Sequence, residues 1–239
     1  GAAGHRLNYR SLPPVIQVID AFTGPGLHGN PAGVCPLDEW LPDLELQALA
    51  ASIGVSDTAF LVRRKNHYEI RWFTPACEID LCGHATLAAA HWHFSAGGGK
   101  GDRVLFKSRL SGDLPVSRAG PSLTLDFPSR PPKGLTPREE KVSVLLGTAL
   151  GALPEEILSS PRDFLCVFSS EQEVRSLNPD MEKLKSLDRP GLIATAPGAG
   201  PPDFVSRFFA PALGIPEDPV TGSAHCVLVP YWAARLGQA

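Results

Sequence analysis

Residues 71–84 read RWFTPACEIDLCGH, and residues 207–225 read RFFAPALGIPEDPVTGSAH. Each stretch opens Arg–aromatic–Phe–small–Pro. Each then runs through an acidic turn to a small polar residue, a Gly, and a run of helix formers. The second copy is three residues longer between its Pro and its Gly. A unit stated twice in 239 residues restricts the chain to folds built from two similar halves that face each other across one site.

The surrounding pattern supports that division. VIQVIDAF (15–22) reads as a first strand, and TGPGLHGNPAGV (23–34) as a Gly/Pro-rich loop into a short strand. DLELQALAASIG (43–54) has helical apolar spacing and ends on Gly54, a C-cap residue. DTAFLVRR and HYEIRWFT read as a strand pair around Lys65–Asn66. GHATLAAAHWHF (83–94) is small and apolar enough for a buried helix. The composition shifts at RPPKGLTPREE (130–140), which sets the boundary between an N-terminal half, 15–129, and a C-terminal half, 130–239. In the second half KVSVLLGTALG and PEEILSS read as helical, and DFLCVFSS, PGLIATAPG and DFVSRFFAP as strands. SLNPDMEKLKSL reads as an amphipathic helix, and residues 222–237 as a buried helix matching 83–94. Strands outnumber exposed helices and no βαβ rhythm is visible, so the expected class is α+β.

Composition narrows the function. A charge of −3 with no basic stripe gives no footprint for nucleic acid. No apolar run approaches the ~20 residues of a membrane span. Residues 1–14 carry no apolar signal core and are set aside. The cysteines, Cys35, Cys77, Cys82, Cys166 and Cys226, are odd in number and form no CxxC, which points to reduced thiols and a cytoplasmic protein.

The chemistry gathers where the repeated unit enters its helix. The first turn of a helix has unpaired backbone N–H groups, and with the macrodipole these attract an anion. The two starts are Cys82-Gly83-His84 and Thr221-Gly222-Ser223. Facing one cleft, they would hold a small carboxylate between them. Gly83 and Gly222 let a ligand approach the backbone, His84 titrates near neutral pH, and Asp218 precedes the second start. His91 and His93 are two apart on a helix and so on different faces, which suits packing rather than a metal pair. GGGKG (97–101) and PGAGPP lack the strand–helix context of a phosphate loop.

These motifs resemble the phenazine-biosynthesis-like (PhzF) family of the diaminopimelate-epimerase-like fold. The matching stretches are GNPAGV (29–34), SDTAF (56–60), RWFTP (71–75), LCGHATLAAAH (81–91) and FAPALGIPEDPVTGSAH (209–225). The likeness runs from Val15 to about Gly237, and EDPVTGSAHCVL…YWAARLG looks most like the animal members. The resemblance implies two pseudo-symmetric halves, each a mostly antiparallel sheet rolled around a central helix, 83–94 or 222–237. It implies a cofactor-independent isomerase that moves a proton between carbons of a small carboxylated substrate, and a homodimer. Asp57 would be the general acid/base, with His84, Asp218 and Ser223 as orienting or relay groups. Gly83, Thr221 and Gly222 would hold the substrate, and Asn30 would contact it or brace its loop. Asp57 stands where the family usually has Glu, one methylene longer, and lost reach of that kind costs on the order of 100-fold in rate. Relatives continue for several dozen residues beyond the second helix, so a shortened C-terminal half is expected. The related two-thiol racemases are excluded: Cys82 fits the first thiol position, but Thr221 is too weak an acid for the second. Cys82 itself reads as a small packing residue. The competing class is a family member that binds without efficient turnover.

Overall fold

A computed structural model describes residues 14–237. The first half contains β1 (Gln17–Gly24), β2 (Leu27–Leu37), α1 (Asp43–Ile53), β3 (Asp57–Arg63), β4 (Tyr68–Phe73), β5 (Glu78–Ile79) and α2 (Gly83–Phe94). It ends with β6 (Arg103–Ser108), β7 (Gly112–Ala119) and β8 (Ser122–Leu125). Its sheet runs β1-β2-β3-β4-β6-β7-β8, with β5 beside β4. The second half contains β9 (Lys133–Gly134), α3 (Glu140–Leu150), β10 (Glu156–Ser159), β11 (Asp163–Val167), α4 (Glu171–Ser176) and α5 (Met181–Lys185). β12 (Gly191–Pro197), β13 (Phe204–Ala210), a 3₁₀ turn (Pro211–Leu213), β14 (Ile215–Asp218) and α6 (His225–Leu236) follow. Its sheet runs β14-β13-β12-β11-β10-β9.

The repeated words are a repeated topology. An antiparallel hairpin (β1–β2, β10–β11) leads through helix to a parallel partner (β3 beside β2, β12 beside β11). An antiparallel strand (β4, β13) and a short return strand (β5, β14) follow, and then the helix. The Arg of each unit has the same task. Arg71 on β4 forks onto Glu78 of β5 at 2.8 and 2.6 Å, and Arg207 on β13 forks onto Glu217 of β14 at 2.7 and 2.9 Å. Each guanidinium also covers the Phe two residues on, at 5.1 Å from Phe73 and 4.9 Å from Phe209. A planar bidentate pair fixes the return strand's direction, and hence where the next helix begins.

α2 is sealed in its half because its alanines let the sheet close on it: Ala85, Ala88, Ala89 and Ala90 are buried among Trp72, Phe106 and Leu114. Trp72 Nε1 donates to Thr86 Oγ1 at 3.1 Å, satisfying the one polar atom of the largest core side chain. His93 is buried with Nδ1 3.1 Å from the Tyr68 hydroxyl, in keeping with a packing role. α6 differs from the expected twin. It buries Val227, Leu228, Tyr231 and Trp232, but Val229 and Leu236 are exposed. β6–β8 wrap α2, whereas no strands follow α6 among the described residues. Pro230 within α6 cannot donate to the Cys226 carbonyl; Arg130 N takes that acceptor at 2.8 Å, docking the connection between halves onto the helix.

Other elements differ from expectation. PEEILSS is the strand β10, not a helix: too short to show a period, it is decided by pairing with β11. Residues 23–34 are mostly strand, because Gly26 (φ 76°) completes a tight turn and β2 runs for eleven residues. The amphipathic helix over SLNPDMEKLKSL is only the one-turn α5, preceded by α4 with a Ser170–Glu173 capping box. Parallel pairs β2–β3, β4–β6 and β11–β12 each enclose a helix, so βαβ units do occur within a mainly antiparallel fold. The second helix begins at His225; Gly222 to Ala224 form a turn before it.

Asp163, at the head of β11, is buried with Oδ1 unpartnered. Burial pushes its carboxyl up from 3.8 to about 6. The folded chain therefore holds this proton more tightly than the unfolded one, and the associated stability is lost as pH rises from 3.8 to about 6. Asp163→Asn should stabilise the protein at neutral pH by up to about 3 kcal/mol, the shift converted at ~1.4 kcal/mol per unit. Melting temperatures of parent and variant at pH below and above this window test it: an advantage of the variant over the parent that does not grow with pH contradicts the assignment.

Candidate active site

The two helix starts meet. A Cβ placed on Gly83 would fall 3.1 Å from Gly222 Cα, and one on Gly222 would fall 3.3 Å from Gly83 Cα. Two glycines at one contact let two backbones touch, and the rings of Phe127 and Phe22 close around them. Phe22 stands at φ 59°, a strained setting for an aromatic residue that packs its ring tip beside Gly222. The first amide to donate within α2 is that of Thr86, to Cys82 O at 3.2 Å; in the second start it is His225, to Gly222 O at 3.0 Å. Both starts line a cavity of about 30 Å³, together with Asp57, Cys82, His84, Asp218 and Ser223 among others.

Asp57 is the first residue of β3, placed by its register opposite Ala32 of the parallel strand β2. It is 3% exposed, and its Oδ1 has no partner. His84 enters from the first turn of α2 and is equally buried. His84 Nε2 lies 3.6 Å from Asp57 Oδ2 and 3.3 Å from Ser56 Oγ; Nδ1 lies 3.4 Å from Cys82 Sγ. Burial pushes Asp57 up, with His84 pulling it partly back, and burial holds His84 down. Both directions favour a neutral acid beside a neutral imidazole, and 3.6 Å is beyond a hydrogen bond. The pair is poised for proton exchange more than locked as an ion pair.

Asp218 closes the other side. Its Oδ1 accepts from Asn30 Nδ2 at 2.7 Å, and its Oδ2 from Thr221 Oγ1 at 2.5 Å. Asn30 belongs to β2 of the first half and also donates to Val220 O at 3.0 Å. With both oxygens engaged, Asp218 orients the second helix start. Asn30 and Thr221 brace it, and Asn30 reaches the cavity only through Asp218. Ser223 lies in the turn at the cavity wall.

One residue escapes a reading of the sequence. Arg162, in the tight link between β10 and β11, crosses to the first half: Nη1 meets Asp80 Oδ1 at 2.9 Å and Leu81 O at 3.2 Å. Its buried Nε has no partner, and it lines the cavity. No local signal marks it; only the fold brings a β-hairpin turn to the opposite helix start. Cys82 packs in the core of the first half as expected, with its thiol 3.4 Å from His84 Nδ1. Burial, then the Asp57 charge, push that thiol well up, so the helix start does not activate it.

Asp57, Cys82 and His84 each offer a ligand atom within 4.8 Å of the others. An O, N and S set of this kind suits zinc. The geometry opposes it, because His84 Nδ1 faces the thiol and Nε2 faces the carboxylate. A ring with a partner at each nitrogen can relay a proton, and a thiol pushed well up by burial is a poor metal ligand.

Sequence comparison matches residues 19–238 to the family described as phenazine biosynthesis-like protein (PhzC–PhzF). An uncharacterized isomerase of Pseudomonas aeruginosa is 49% identical over 220 residues, covering 92% of this chain and 82% of that protein. A human phenazine biosynthesis-like domain-containing protein is 39% identical, covering 93% and 84%. The animal proteins are thus relatives, at lower identity than this bacterial one. The crystal structure of a PhzF-family protein from Enterococcus faecalis superposes with a TM-score of 0.79 at 42% identity, covering 93% and 83%. A predicted epimerase of Pseudomonas aeruginosa shares the fold at 20% identity, with a TM-score of 0.67 over 94% of this chain and 82% of that one.

Proposed function

The chain belongs to the phenazine biosynthesis-like (PhzC–PhzF) family, and from that premise we propose that it is an isomerase that moves a proton on a small carboxylated substrate held between its two helix starts. One observation carries the proposal: a buried carboxyl with a free oxygen, Asp57 Oδ1, at a cavity lined by both helix starts. The substrate carboxylate takes the amides around Gly83 and Gly222. Asp57 exchanges a proton with a neighbouring carbon, and the raised affinity of its carboxyl brings it nearer the neutral range where acid and base forms are both available. His84 stabilises the ionised form when it appears. The proton that leaves one carbon returns at another, so the oxidation level is unchanged and no electron carrier is required. The cavity of about 30 Å³ has room for a water-sized guest. A ring-sized acid therefore enters only when the halves part, and the Asn30–Asp218 bond is one of the contacts that re-forms on closing.

Incubating the protein with small carboxylic acids in D₂O tests this without knowledge of the product. Proton transfer at carbon places deuterium on the substrate, read by mass spectrometry. Deuterium that appears equally with Asp57→Ala would remove Asp57 from the mechanism. Asp57→Glu adds the methylene that the family resemblance implies at this position, extending the carboxyl's reach into the cavity. It is expected to raise exchange by up to about 100-fold; unchanged or slower exchange contradicts the reach argument. The narrow cavity also favours a second reading, a member of the family that binds anions without turnover. Carboxylate binding with no deuterium incorporation across the acid panel would select that reading.

A further inference from the structure

At the far end of α2 from the candidate active site lies a second cavity of about 340 Å³, within the usual size range for small-molecule pockets. The β3–β4 turn contributes Arg63, Arg64 and Lys65; the Gly-rich segment after α2 contributes Lys100, and β6 contributes Arg103. Among the described residues no carboxylate lines this cavity. Arg64 is engaged by Glu69 at 3.0 and 2.9 Å. Arg63, Lys65, Lys100 and Arg103 form no ion pair with any described residue. Four cations without an ion-pair partner, Arg63 among them stacked 5.8 Å from the Tyr68 ring centre, surround one concavity and focus positive potential there.

Gly99 passes directly over the buried His93: a Cβ there would fall 2.2 Å from His93 Nε2, so only glycine brings the segment so close. The segment's amides cap the end of α2, with Ser95 N on His91 O at 3.0 Å, Gly97 N on Trp92 O at 2.7 Å and Gly99 N on His93 O at 2.8 Å. Those bonds satisfy the carbonyls of His91, Trp92 and His93, which weakens the negative potential of the helix end. Arg118, stacked on Phe94 at 4.5 Å, donates to Gly101 O at 3.0 Å and adds a further positive group behind the segment.

We propose that this cavity is a binding site for a small polyanion carrying at least two phosphate groups, separate from the carboxylate site at the opposite end of α2. Two linked phosphates match cations that arrive from two different segments, because charge-assisted bonds to each phosphate engage both. A single phosphate reaches fewer of them.

Calorimetric titration of the whole chain with inorganic pyrophosphate at low ionic strength tests the site. Saturable binding is expected, weakened by added salt and stronger than that of orthophosphate. The exposed double variant Lys100→Ala/Arg103→Ala should lose roughly tenfold or more in affinity. The control Arg138→Ala/Lys141→Ala, exposed cations of the other half, should leave it unchanged, as should Asp57→Asn. Absence of saturable binding overturns the proposal. So does equal affinity in the Lys100/Arg103 variant, or an equal loss in either control.

Discussion

Asp57→Asn is expected to reduce proton exchange by about 10²- to 10⁴-fold, the usual contribution of a positioned acid/base, while raising the melting temperature at neutral pH. The two effects have one cause. Asp57 is buried, one of its oxygens is unpartnered, and burial raises its proton affinity. With a folded-state pKa above the unfolded value, the associated stability is present at low pH and is lost as pH rises through the folded value. The asparagine side chain keeps the shape and cannot ionise, so its advantage should grow with pH, and the Ser56 hydroxyl beside it remains a hydrogen-bond partner. Exchange assays and melting curves from acid to neutral pH test both halves of the claim. A variant that loses exchange and also loses stability at neutral pH would show that Asp57 is structural. One that gains stability and keeps exchange would show that the carboxyl is not the acid/base.

The contrast with Asp218 sharpens the point. Both carboxyls are buried and both are pushed up by burial. Asp218, however, has a donor on each oxygen, from Asn30 and Thr221. A carboxylate spent on two bonds organises its surroundings, and a carboxylate with a free oxygen can act on a guest. One of those donors is local, Thr221 three residues on, and the other is brought from the opposite half, Asn30 188 residues away.

That separation also explains what could be read from the sequence. The repeat was legible because the same local task recurs: Arg71 and Arg207 each bind a glutamate of the next strand, so each unit retains its Arg, aromatic pair and acid. The helix starts were legible because close backbone contact demands glycine, at Gly83 and again at Gly222. Arg162 was not, because nothing near it in sequence records that a β-hairpin turn will lie against Leu81. Nor was the cationic cavity, whose lysines and arginines come from two segments some 35 residues apart that β4 and α2 bring together. The strand at PEEILSS and the turn at 222–224 failed for another reason. Each is only a few residues long, too short for periodicity to decide, and tertiary pairing settled both.

Gly83→Ala should lower the melting temperature and weaken carboxylate binding, and should do both more strongly than Gly222→Ala. Helix propensity alone predicts the opposite, since alanine in a helix gains up to ~1 kcal/mol over glycine. Neither glycine has a positive φ, so the backbone itself would accept alanine at both. Sterics decide the sign. At Gly83 the new Cβ meets Phe127 Cζ at 2.5 Å and Gly222 Cα at 3.1 Å; at Gly222 the nearest atoms lie at 3.3 Å. The half-buried Phe127 ring can yield, but the facing backbone cannot yield without separating the two starts. Overpacking of this kind costs about 1–3 kcal/mol, more than propensity returns. The displaced amides would no longer converge on one anion, so affinity for a small carboxylate should fall with stability. Melting curves and carboxylate titrations of the two variants provide the comparison. If Gly83→Ala proves as stable and as tight-binding as the parent, the two helix starts do not meet as described, and the shared anion cradle between the halves is lost with them.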